Sequence, residues 1–297
     1  MTLRVVVEGD RVHRPAGWWT PTVHALLAHL HDVGFDRVPR PLGIVDGREV
    51  LSYVAGDSGP DGWLRVVPEA GLRAFARLLR DFHEATRGFV PPEDARWAFP
   101  AAPSDVICHG DFAPWNAAWD GLAPVGLFDF DFAGPAAPLR DVAYALEYVA
   151  PFRSDETALR WHGFRVPPDR ARRIEVFASA YGLTDVDGLV DAVIDRQRLT
   201  IEQMVVFAAA GIEPQVSWVA EGDLDVHVRW SEANRDLFAQ AFSDTEPPTR
   251  DHPGVESQRL DGPAERDYRT DAEKSSEGRE NDILPVGGRP FSRTDEQ

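Results

Sequence analysis

Residues 106 to 134 read VICHGDFAPWNAAWDGLAPVGLFDFDFAG, with Asp111, Asn116 five residues later, then Asp129 and Asp131. These polar groups sit among Val106, Ile107, Leu127 and Phe128. Short strands on either side would fix the backbone between them and turn the carboxylates into one cleft rather than into free solvent. A carboxylate beside a hydroxyl can take its proton, and a second carboxylate with an amide oxygen can hold a divalent cation on phosphates. The same groups could serve metal-dependent hydrolysis. An isolated D-x-x-x-x-N is more often an Asx-type turn than a site, so the neighbouring residues decide.

Those neighbours form an ordered set. H-G-D-F-A-P-W-N spans 109 to 116 with the Asp-to-Asn spacing of the protein-kinase catalytic loop, and the D-F-D of 129 to 131 stands where kinases carry D-F-G. A third element, PLRDVAYAL, follows at 138 to 146. Together these motifs resemble the aminoglycoside phosphotransferase and choline kinase family. The resemblance implies an α+β, two-lobed, protein-kinase-like fold with a reduced β-rich N-terminal lobe and a larger, mainly helical C-terminal lobe. It also implies ATP and Mg2+ as cofactors, and transfer of the γ-phosphoryl group to a hydroxyl of a small aminoglycoside- or choline-like acceptor. Position by position, Asp111 resembles the catalytic base and His109 the residue that orders the catalytic loop. Asn116 and Asp129 resemble the magnesium ligands. Asp141 resembles a helix-borne acid bracing the loop, and Asp131 is assigned to structural support.

The small lobe departs from that pattern. Kinase-like folds cover the nucleotide with a glycine-rich hairpin and grip its phosphates with a strand lysine paired to a helix glutamate. Here the first hairpin has only Gly9 in its turn, and the only lysine of the chain is Lys274. Arg14, on the second strand, is the natural substitute as a nucleotide-phosphate ligand, being permanently charged and able to form paired bonds. The helix of 21 to 33 has no glutamate, which leaves His24 or Asp32 to orient Arg14, or nothing. These gaps support an alternative: a degenerate kinase-fold protein that binds a nucleotide or small ligand without turnover.

The elements that must position these groups are readable from pattern. LRVVV and RVHR flank a turn at EGD, and TPTVHALLAHLHDVGF has apolar residues at helical spacing after a Thr-Pro start. Asp46-Gly47 joins strands near 42 to 45 and 49 to 54. The first lobe thus spans 1 to 55 as strand, strand, helix, strand, strand. EAGLRAFARLLRDFHEAT, 69 to 86, is amphipathic at i, i+3, i+4 intervals. Short strands are expected at 105 to 108 and 125 to 129. Helices are expected near 138 to 150, 154 to 162, 169 to 182, 186 to 210 and 230 to 242, completing a helical lobe over 56 to 243. Residues 244 to 297, charged and rich in Pro, Gly and Ser, read as a disordered tail.

Composition narrows the partners. The formal net charge of −18 repels nucleic acid and anionic membrane surfaces and favours cationic small molecules. A single cysteine, Cys108, allows no internal disulfide and suits a reducing cytoplasm, and no apolar stretch is long enough for a membrane span. Tyr144, Tyr148, Trp161, Trp218 and Trp230 could cage a quaternary ammonium group, although aromatic residues on helices more often belong to the core. The acidic EGDLD of 221 to 225 could attract a polycationic acceptor, with a solvated loop as the plainer reading.

Overall fold

The hairpin at Asp46-Gly47 closes on two residues of positive φ, 50° and 75°, the pair a tight antiparallel turn requires. It belongs to the first of three small sheets in the computed structural model, which describes residues 5–100 and 102–239. Strands β1 (Val6–Glu8), β2 (Arg11–Pro15), β3 (Pro41–Val45) and β4 (Arg48–Ser52) form an antiparallel sheet in the order β1-β2-β4-β3. Helix α1 (Thr20–Asp32) connects β2 to β3. Its buried face carries Val23, Leu26, Leu27 and Leu30. The register of β2 on β4 sets Arg14 directly opposite Glu49. Strand β2 continues through Pro15, one residue beyond the expected end, because Pro15 still pairs with Arg48.

Helix α2 (Gly62–Val66) leads into α3 (Glu69–Thr86), whose buried stripe of Leu72, Phe75, Leu78, Leu79 and Phe82 follows the sequence periodicity. Gly71 lets α3 approach the end of α2: a Cβ there would lie 1.8 Å from the Arg65 carbonyl oxygen. Two two-stranded sheets follow. Strand β5 (Ile107–Cys108) pairs with β8 (Gly134–Pro135), and between them β6 (Ala117–Asp120) pairs with β7 (Ala123–Leu127). Two loops, 109–116 and 128–133, are thereby held side by side.

Helices α4 (Leu139–Val149), α5 (Asp155–Trp161), α6 (Arg170–Tyr181), α7 (Leu189–Ala209), α8 (Gln215–Glu221), α9 (Val226–Ala233) and α10 (Asp236–Ala239) complete the described chain. Residues 141 to 149 of α4 are all buried, so this helix is central, with burial on every face. One hydrophobic cluster joins α1 (Leu26, Leu30), α3 (Phe75, Leu79) and α4 (Val142, Leu146). The chain differs from expectation in several places, among them helix α2 and the short strand β8, neither of which was expected. The apolar strand β6 was not anticipated, nor was α8, and the expected helix 230 to 242 is interrupted at Asn234 and Arg235 where α9 ends. The tail expected over 244 to 297 lies outside the described residues. Among the described residues, no helix is long and apolar enough to cross a membrane.

Candidate active site

The loop after β5 carries His109, Gly110 and Asp111, and its backbone is clamped by one buried carboxylate. Asp141, in the first turn of α4, accepts the N–H of His109 at 2.6 Å on Oδ2 and that of Gly110 at 2.9 Å on Oδ1. It also pairs with His83 Nε2 at 3.1 Å. Burial pushes the Asp141 carboxyl up, but these donors and the two nearby histidines outweigh it and hold the group below the usual carboxylate range. His83, Cys108 and Asp141 lie close enough to share a metal ion. The Asp141 oxygens are, however, already taken by three donors, so the trio reads as a brace. Gly110 has φ 82°, and a Cβ on it would meet the Phe132 carbonyl oxygen at 2.1 Å. Only glycine lets the two loops touch there.

His109 faces inward. Its Nδ1 accepts the Asp111 N–H at 3.2 Å, which leaves the proton on Nε2 to donate to the Phe128 carbonyl at 3.0 Å. Burial lowers its pKa, so the ring stays neutral and ties the two loops together.

Asp111 is 5% exposed and both of its oxygens are occupied. The Tyr144 hydroxyl donates to Oδ1. Asn116 Nδ2 donates at 2.9 Å to Oδ2 and at 2.9 Å to the Asp111 carbonyl. Burial first, then the nearby charge of Asp129, pushes the Asp111 carboxyl up to about 8. Behind it, Arg196 of α7 donates to the Gly110 carbonyl at 2.9 Å and lies 4.5 Å from the centre of the Tyr144 ring. Tyr144 and Tyr148 pack with Trp63 and Trp115 in a buried cluster. Trp161 is exposed and lies under Arg160, while Trp230 packs against Phe238 and Arg170. Of the aromatic residues considered for a cage, Tyr144 and Tyr148 pack together, while Trp161 and Trp230 have other partners. The 221 to 225 segment is largely exposed, with Asp223 paired to Arg229.

The second loop presents Asp129, in a left-handed conformation at φ 68°, and Asp131. Arg14 reaches both: Nη1 donates to Asp129 Oδ1 at 2.9 Å, and Nη2 to Asp131 Oδ1 at 2.6 Å. Its Nε donates to Glu49, whose other oxygen lies 3.0 Å from His24 Nε2. Trp19 Nε1 also donates to Asp131 at 2.9 Å. Burial pushes Asp131 up against the opposing pull of Arg14. The orienting acid for Arg14 is thus Glu49 on the neighbouring strand, with His24 acting through it, and Asp32 is exposed. That corrects the expectation of His24, Asp32 or nothing. Glu49 leaves no signal near α1, because its register on β2 follows from sheet pairing rather than from sequence distance.

Metal fit can be judged from the oxygen atoms. Asn116 turns its amide nitrogen to Asp111, so its Oδ1 is free, and Asp129 Oδ2 accepts from no donor among the described residues. An amide oxygen and a carboxylate oxygen on adjacent loops suit a hard divalent cation that keeps waters and phosphate oxygens as its other ligands.

The model of a phosphotransferase enzyme family matches residues 93–176, which include both loops and the start of α4. The trifolitoxin immunity protein of Rhizobium leguminosarum bv. trifolii is 33% identical over 201 residues, 64% of this chain and 75% of that protein. The chain belongs to this phosphotransferase enzyme family. Among solved structures, amicoumacin kinase hAmiN in complex with AMP-PNP, Ca2+ and Ami aligns at a TM-score of 0.50 and 12% identity, over 78% of this chain and 88% of that one. A choline/ethanolamine kinase family protein from Mesorhizobium loti aligns at 0.49 and 17%, over 79% and 84%. The fold is the protein-kinase-like fold of this family. Within it, Glu49, His83 and Arg196 are candidate site residues that the sequence did not point to, and Tyr144, considered there only for an ammonium cage, is the donor to Asp111. Tyr144 was within reach as a site residue, because it lies three positions after Asp141 and so on the same helix face.

Proposed function

We propose that this phosphotransferase moves the γ-phosphoryl group of ATP to a hydroxyl of a small molecule, with Asp111 taking the hydroxyl proton. The observation that carries this reading is the placement of Asp111: buried, fixed by Tyr144 and Asn116 on a loop touching that of Asp129, where burial raises its carboxyl above the usual range. A base poised near the working pH combines a usable ionised fraction with a strong pull on the proton. The acceptor oxygen bonds to phosphorus, the bond to the ADP oxygen breaks, and the proton ends on Asp111. Asn116 Oδ1 and Asp129 Oδ2 would hold Mg2+, which when bound offsets charge on the phosphates. His109 and Asp141 keep the loop backbone fixed through these steps. In this reading residues 1 to 55 cover the nucleotide, 56 to 243 carry the catalytic groups, and ATP as donor places the reaction in the cytoplasm.

The acceptor class we favour is a hydroxyl-bearing toxin, since one relative is a trifolitoxin immunity protein and phosphorylation is a means by which a phosphotransferase would confer immunity. The strong negative charge of the chain supports a cationic acceptor. The test is Mg-ATP turnover against cationic and neutral hydroxyl compounds, peptide toxins included. The wild-type protein should phosphorylate at least one class, and Asp111→Asn should lower that turnover by roughly two to four decades. Full activity in the Asn variant would remove Asp111 from its role. A second reading, ligand binding without turnover, draws support from Arg14, which commits most of its donors to carboxylates and keeps a single N–H for a phosphate. Nucleotide binding without phosphorylation of any acceptor would favour it.

A further inference from the structure

Kinase-type sites commonly hold two magnesium ions between the D-F-G aspartate and the catalytic-loop asparagine. The oxygen atoms available for that purpose here can be traced one by one. Both oxygens of Asp131 are taken: Oδ1 accepts from Arg14 Nη2 at 2.6 Å and from Trp19 Nε1 at 2.9 Å, and Oδ2 faces Arg14 Nη1 at 3.4 Å. Asp129 Oδ1 accepts from Arg14 Nη1 at 2.9 Å. Asp111 is closed by Tyr144 and Asn116. Among the described residues that leaves Asp129 Oδ2 and Asn116 Oδ1 as the open oxygens of these four side chains, enough for one ion and not for two.

Arg14 is built to stay where it is. Its side chain is 14% exposed. It is gripped from the strand side by Glu49 and from the loop side by Asp129 and Asp131, and Glu49 is itself tied to His24. Its four recorded hydrogen bonds use four of the five guanidinium N–H groups. One Nη2 N–H remains for a phosphate oxygen. A planar fork locked between carboxylates is harder to displace than the point charge of a lysine. A divalent ion arriving at Asp131 would also have to enter beside this fixed positive charge.

We propose that the Arg14 guanidinium permanently fills the second cation position of this site, so that the protein takes a single divalent ion on Asp129 and Asn116. Arg14 then bridges the two metal-loop carboxylates as the second ion would, and offers its remaining N–H to the phosphates. The inference rests on the nucleotide-binding reading above, with a departure specific to the Arg14, Glu49, Asp131 and Trp19 of this chain.

The experiment counts Mn2+ bound to the full-length protein by electron paramagnetic resonance and calorimetry, with and without the non-hydrolysable triphosphate AMP-PNP. The wild-type protein with AMP-PNP should hold one Mn2+ per chain at saturation. Arg14→Gln, which frees Asp131 and Asp129 Oδ1, should hold two, and its nucleotide-free Mn2+ affinity should rise about tenfold as the like charge is removed. Two ions in the wild-type complex would overturn the inference while leaving nucleotide binding intact. Absence of any AMP-PNP binding would overturn the nucleotide reading and this inference together. The wild-type count stands even if Arg14→Gln fails to fold. Asp131→Asn, which keeps its shape and one Arg14 bond, should retain a count of one.

Discussion

Asp111 shows how one side chain can be costly to the fold and useful to the chemistry. Its ordinary pKa in an unfolded chain is about 3.9, while the folded site holds it up to about 8, through burial and then the charge of Asp129. Between those values the folded protein retains a proton that the unfolded chain has released, so this group lowers stability as pH rises through that window. Wild-type protein should therefore lose more stability between pH 5 and pH 8 than Asp111→Asn does, by about 3–4 kcal/mol. Urea unfolding at both pH values measures the difference, and equal slopes would contradict the assignment. Asp141 behaves in the opposite sense, since its carboxylate is held down by His83 and two backbone N–H groups. Asp141→Ala leaves those donors buried and unpaired, a loss of about 3–5 kcal/mol, and its Tm should fall by about 10 °C. At this scale the sequence was informative wherever spacing carries the signal. Asp111, Asn116, Asp129 and Asp141 were all legible from three motifs; the structure sets the first three on two touching loops and Asp141 in the first turn of α4, bonded to the backbone of one of them. Glu49 and Arg196 were not legible, because a cross-strand partner and a cation on the buried side of a distant helix leave no local pattern.

Elements with strong local chemistry were read nearly to the residue. Helix α3 runs over the expected 69 to 86, and the β3–β4 hairpin turns at Asp46-Gly47. Strand β6 escaped notice because Ala117–Asp120 is short and buried over its first three residues, so it shows no alternation. The division between α9 and α10 escaped notice because Asn234 and Arg235 do not interrupt the apolar spacing. Packing at one helix position reverses an ordinary rule. Gly to Ala within a helix is expected to stabilise by about 0.5–1 kcal/mol, yet a Cβ at Gly71 would meet the Arg65 carbonyl at 1.8 Å. Gly71→Ala should therefore lower Tm, by about 5 °C or more, as α2 is forced off α3. A rise in Tm would show that the approach relaxes without cost.

Across the whole molecule, 49 acidic residues stand against 31 basic ones, and exposed like charges repel one another at low ionic strength. Raising NaCl from about 10 to about 200 mM shortens the screening length about fourfold. Tm should rise by a few degrees over that range, and a falling Tm would mean that surface ion pairs such as Arg172–Glu69 outweigh the repulsion. The buried position of Cys108 has a use unrelated to catalysis. The chain has one thiol, 1% exposed in β5 directly before the His109 loop, with its Sγ against the carbonyls of Ala136 and Ala137. Burial raises its pKa and shields the sulfur, so the native thiol should resist alkylation. Each molecule that reacts with a thiol reagent must first have opened at the β5–α4 junction. The protein thus carries its own single-event clock, and the labelling rate reads how often the catalytic loop comes away from its brace.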